Sequence, residues 1–168
     1  MRKTRAWIVL GFWLVALTVA AFAETRKPGL WEITTTITWQ QSPFAGSAAD
    51  SVAKAGKRTT QVCLTKSMID DYGALLPQSR GSCHVANKLM TPGGMTADWV
   101  CEGRISGTGA LSSTWPDLEH SSSTLHFLGT FLMGGDSQPV EWTTQSTAVF
   151  KSADCGTVRP KQPPQHPR

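Results

Sequence analysis

The sequence predicts a mostly β fold: an antiparallel, strongly curved sheet or small barrel of about seven strands with one short helix. Three observations carry this. Residues from Trp31 to Trp39 alternate apolar and polar side chains, the period of a strand with one dry and one wet face. Six further stretches read as strands, joined by Pro, Gly and Asp turns short enough for antiparallel neighbours. Only one segment, after Thr65, carries both a helical start and a helical stop. A sheet with so little helix to cover it must bury its apolar face by curling on itself.

The first strand follows Pro28-Gly29, which stops any helix from running in from upstream. Trp31, Ile33, Thr35, Ile37 and Trp39 form its expected dry face, against Glu32 and threonines at 34, 36 and 38. Residues 41–56 are small and polar and read as a loop with one helical turn at 48–55. Residues 58–64 resume a strand, with Thr60, Val62 and Leu64 on one face and Thr59, Gln61 and Cys63 on the other. Thr65 caps a helix over 66–76, weakened by Gly73 and ended by Pro77, with Met68, Ile69, Tyr72 and Leu76 as its buried face.

A hairpin comes next. Cys83, Val85, Asn87 and Leu89 share one face, Thr91-Pro92-Gly93-Gly94 turns the chain, and Met95, Ala97, Trp99 and Cys101 return. Residues 105–115, rich in Gly and Ser, suit a bend or an edge. Pro116-Asp117 leads into a strand over 121–133 that is partly apolar on both faces: Leu125, Phe127 and Phe131 on one, Leu128 and Leu132 beside His126 on the other. That is the pattern of a central strand. Residues 139–151 close the sheet with Val140, Trp142, Ala148 and Phe150 inward. No internal repeat is present.

Arg2, Lys3 and Arg5, an apolar run over 6–20 and the Ala21-Phe22-Ala23 ending have the layout of a secretory signal peptide over 1–23. The run is also close to the length of a membrane anchor, but the Ala-x-Ala ending favours cleavage. Removing 23 of the 168 residues leaves 145, read as a single β-rich domain over 24–156 and a proline-rich, disordered tail over 157–168. The formal charge of +4 misleads: all twelve acids remain after cleavage but three of sixteen bases leave, so the net falls to +1. No basic stripe remains, which argues against a nucleic acid partner. The expected location is the periplasm, with no stable membrane span after cleavage.

Four cysteines in an exported chain read as two disulfides, and none has the C-x₂₋₄-C spacing of a zinc site. With the hairpin turn centred on Pro92, partners have numbers summing to 184, which sets Cys83 opposite Cys101. Directly opposed residues lie about 4.5–5.5 Å apart, within disulfide reach. Cys63–Cys155 remains as the second bridge.

Catalytic constellations are missing: no G-x-S-x-G, no H-E-x-x-H and no phosphate loop occur. His84 neighbours Cys83, but adjacent strand residues face opposite ways and a disulfide sulfur is no nucleophile. His120 and His126 are about 20 Å apart along a strand, too far to share a metal, and His126 reads as a satisfied sheet histidine. Asp70-Asp71 occupy adjacent helix positions and cannot oppose each other as an acid–base pair. The expectation is therefore a non-enzyme with no cofactor and no metal. The tryptophans are the candidate site: Trp31, Trp39, Trp99 and Trp142 face the interior, either as packed core or as the lining of an apolar ligand cavity. Trp115, before Pro116, suits a binding rim.

Lys27-Pro28-Gly29-Leu30-Trp31-Glu32, Gln61-Val62-Cys63-Leu64 and Asp154-Cys155-Gly156-Thr157-Val158-Arg159-Pro160 resemble, in that order, a bacterial family catalogued as domain of unknown function 3617. The resemblance spans residues 26–160. It implies a small secreted protein of the Gram-negative envelope with paired cysteines, and it carries over no catalytic residue. Gly29-Leu30-Trp31 is also similar to the G-x-W opening of the calycins, with Arg159 as the late basic residue crossing that Trp, but the second lipocalin motif is missing. Two functions follow as expectations: a binding protein for a small apolar ligand, or a structural or protein-interaction module of the envelope with a solid core.

Overall fold

A computed structural model of the chain describes residues 26–44, 56–72 and 83–160. The predicted signal segment 1–23, the helical turn at 48–55, the Tyr72 side chain and Leu76 of the predicted helix, and tail residues 161–168 lie outside the described residues.

Among the described residues, seven strands form one antiparallel sheet: β1 (Gly29–Gln41), β2 (Lys57–Leu64), β3 (Cys83–Thr91), β4 (Gly94–Cys101), β5 (Ile105–Thr114), β6 (His120–Met133) and β7 (Asp136–Ser152), with the helix α1 (Lys66–Tyr72) between β2 and β3. The spatial order is β2-β1-β7-β6-β5-β4-β3. The last five strands make a simple meander, and β1 adds beside β7 so that the start of β1 meets the end of β7. Over the described residues the sheet is curved and does not close: β2 and β3 are its two edges.

Curvature follows from who touches whom. One apolar cluster joins Trp99 of β4, Leu111 of β5, Phe127 of β6 and Val140 of β7, with Trp39 of β1 and Val85 of β3 packed on it. Side chains from six strands of one sheet reach a common core only if the sheet wraps around it. Glycines permit the wrap. A Cβ on Gly107 would sit 2.3 Å from the Leu128 carbonyl oxygen, and one on Gly129 2.2 Å from that of Ser106. So β5 is an interior strand rather than an edge, and its glycines serve the bend. The second cluster holds Trp31, Ile33, Val62, Leu64, Ile69 and Ala148, with α1 as its cover. Thr65 caps that helix as expected: its Oγ1 accepts from the Met68 N–H at 3.3 Å.

β6 is the fourth of seven strands, hence central as its sequence predicts. Its second apolar face is not buried, however: Leu128 and Leu132 are exposed on the outside. Both disulfides, Cys63–Cys155 and Cys83–Cys101, are formed, as an oxidising compartment allows. Beyond Cys155 the chain turns, and Pro160 bridges in parallel to Cys63 on the β2 edge. No helix among the described residues is long and apolar enough to cross a membrane.

Candidate functional site

The core face of the sheet is not uniformly apolar. Its registers set Thr35, Ser146, Ser123, Ser113 and Met95 in one row across β1, β7, β6, β5 and β4. The next row runs Ile37, Thr144, Leu125, Leu111, Ala97. A belt of hydroxyls thus crosses the concave face between the two apolar clusters. Thr35 Oγ1 and Ser146 Oγ lie 3.0 Å apart and satisfy each other.

The four tryptophans divide between the clusters. Trp31 is fully buried beside Phe150, at 5.7 Å between ring centroids, and its Nε1 donates to the Lys27 carbonyl at 2.9 Å. Trp99 is buried in the other cluster. These two are structural core. Trp39 and Trp142 are only half-buried and stand as direct cross-strand partners, 5.2 Å apart. Trp142 also stacks on Phe127 at 4.1 Å. Phe44, just past β1, touches Trp39 at 6.2 Å and reaches Phe131 of β6 at 6.1 Å, making an aromatic mouth at this end of the concave face. Between mouth and belt, Ile37 faces the core side yet is 38% exposed.

The opposite end is crossed by residues 26–28. The Lys27 N–H donates to the Leu118 carbonyl at 3.4 Å, and its ammonium pairs with Glu119. Arg26 is thereby carried onto the Trp115 ring, 4.1 Å from its centroid, and is buried. Desolvation pulls its guanidinium down to about 10. Trp115 is itself fixed, donating from Nε1 to the Pro92 carbonyl at 2.7 Å. It is therefore a half-buried platform for Arg26 rather than an exposed rim.

The histidines are on the other side of the chemistry. His126 Nε2 meets Glu141 Oε1 at 2.8 Å across β6 and β7, the satisfied sheet histidine expected. His120 Nδ1 lies 2.9 Å from Asp117 Oδ2. The N–H of Glu119 foremost, with the side chain and N–H of His120, holds the Asp117 carboxyl below the ordinary carboxylate range. Among the described residues no three His, Cys, Asp or Glu side chains gather as metal ligands.

Sequence reasoning singled out the tryptophans and passed over Arg26 and the serine belt. Ser113, Ser121 and Ser123 at dry-face positions were the readable signal.

A model of the family described as "Protein of unknown function (DUF3617)" matches residues 26–155. No curated protein and no solved structure matches the chain.

Proposed function

The chain belongs to the family of proteins of unknown function DUF3617, and on that premise we propose that it is a non-enzymatic periplasmic binding protein that takes a small apolar ligand on the concave face of its sheet. One observation carries the reading. Ile37 points to the core side of β1 and remains 38% exposed, while Trp39 and Trp142 next to it are only half-covered. A solid core would bury these groups, because leaving a large apolar side chain wet forgoes roughly 1.5–3 kcal/mol. An aromatic-lined concavity rimmed by a few polar groups is the usual form of a small-molecule site. The two disulfides and the leader-like residues 1–23 support export.

The test is native mass spectrometry of the protein purified untagged from the bacterial periplasm. A reproducible added mass that disappears on denaturation is the expected result. The bare polypeptide, with Trp39→Ala and Trp142→Ala leaving its binding of apolar fluorophores unchanged, would refute it. A second reading, an interaction module, is favoured by the exposed Leu128 and Leu132 on the outer face of β6, since clustered exposed apolar groups mark protein contacts.

A further inference from the structure

Three side-chain polar atoms among the described residues are buried with no hydrogen-bond partner: Arg26 Nη2, Ser113 Oγ and Ser121 Oγ. Their residues are 4%, 6% and 6% exposed. Buried polar groups almost always find partners, and each orphan calls for an explanation. A desolvated cationic donor without an acceptor is the costliest kind. These three are also neighbours. The Arg26 guanidinium carbon lies over the Trp115 ring, and Ser113, near the end of β5, precedes Trp115 by two residues and shares its parity. The β5–β6 register, Ser113 with Ser123 and Thr114 with Ser122, carried one step further sets Trp115 opposite Ser121. The Arg26 contact and the strand register therefore place the residues of all three orphans next to Trp115, at the end of the hydroxyl belt.

The nearby acids among the described residues do not answer the guanidinium. Glu119 is paired with Lys27 and Asp117 with His120. What would satisfy one guanidinium donor and two hydroxyls at once is an oxyanion, which accepts on every oxygen. From Ser113 the belt leads through Ser123 to Ser146 and Thr35, and Ile37 lies one row further on. The Trp39–Trp142 pair is one row beyond that. Six residues along β6 separate the Ser121 row from the Phe127 row, about 20 Å.

We infer that Arg26, Ser113 and Ser121 form a head-group site for a carboxylate or phosphate, belonging to an amphipath whose tail runs past Ile37 to the Trp39–Trp142 pair. The inference rests on the apolar-ligand reading and names the ligand's class. It also accounts for a cation kept at a cost to the empty fold: the anion supplies what the fold withholds.

Isothermal titration of the full chain, exported to the periplasm and stripped of cargo on a lipid-adsorbing resin, tests it with four probes: dodecanoate, dodecyl phosphate, dodecanol and inorganic phosphate. Dodecanoate or dodecyl phosphate is expected to bind about ten- to hundredfold tighter than dodecanol, the range of a charge-assisted hydrogen bond. Arg26→Met should erase that preference, leave dodecanol affinity unchanged, and leave the ligand-free melting temperature equal or higher. Ser121→Ala, a milder change that protects the test should Arg26→Met not fold, should weaken the acid about threefold. Equal binding of dodecanol and dodecanoate overturns the head-group site and leaves the apolar groove standing. Inorganic phosphate binding as tightly as dodecyl phosphate overturns the amphipath in favour of a free anion. A lower melting temperature for Arg26→Met with unchanged acid affinity makes Arg26 a structural prop and refutes the inference. Binding of none of the probes sinks both this site and the groove.

Discussion

Breaking the two disulfides separately should cost unequal amounts, and the structure sets the comparison up well. Cys63–Cys155 spans 92 residues of chain and Cys83–Cys101 only 18. Chain entropy makes the first worth about 4.6 kcal/mol and the second about 3.2 kcal/mol. Burial is matched between the pairs: Cys63 and Cys101 are 5% and 3% exposed, and Cys155 and Cys83 are both half-buried. The cavity cost of Cys→Ala should therefore nearly cancel, leaving the loop term. The double variant Cys63→Ala/Cys155→Ala should lose about 1.4 kcal/mol more than Cys83→Ala/Cys101→Ala, which at roughly 4 °C per kcal/mol is a gap of about 6 °C. Equilibrium urea unfolding under non-reducing conditions measures it, and the m-value should also rise more for the long-loop variant because its unfolded chain expands further. Equal losses, or a greater loss from the hairpin pair, would refute the entropic reasoning and point to native-state strain or packing as the source of the stabilisation.

Gly129→Ala should destabilise by about 1–3 kcal/mol, because its methyl would meet backbone at Ser106 and the Phe127 ring at 2.8 Å; Gly93→Ala, with open space around it, is the control and should be near neutral in the same urea melts. Asp117 gives a pH dependence with a definite sign. Its folded-state carboxyl lies below the unfolded value of 3.8, so its contribution is present above that pH and lost as pH falls through the lower folded value. Asp117→Asn should flatten the stability profile between pH 4 and the acid limit, and an unchanged acid limb would contradict the assignment.

The hairpin shows how far pattern reading reached. A turn centred on Pro92 gives partners summing to 184, and Cys83–Cys101 through Ala86–Asp98 obey it. Nearer the turn, Thr91–Gly94 and Leu89–Thr96 sum to 185, because the turn centres between Pro92 and Gly93. A bulge at Asn87, whose φ is 49° and whose amide donates to Asp98 at 2.6 Å, absorbs the extra residue. The disulfide was legible because two one-residue effects cancel, which alternation alone cannot reveal. Ile37 shows the opposite failure. Parity places it correctly on the core side, but parity gives direction and says nothing about whether a partner lies above.

Arg26 marks a limit of a different kind. Its burial depends on Lys27 reaching Leu118 and Glu119, groups more than ninety residues away, so no local window around Arg26 could forecast it. The serines were forecastable. Ser113, Ser121 and Ser123 share parity with Leu111, Leu125 and Phe127, and a hydroxyl at a dry-face position demands either a partner or a ligand. Ser123 lies next to Ser146, which pairs with Thr35, so part of the belt answers itself within the fold. Ser113 Oγ, Ser121 Oγ and Arg26 Nη2 do not. A fold that satisfies its belt at one end and leaves three groups open at the other has the asymmetry that the proposed head-and-tail site requires.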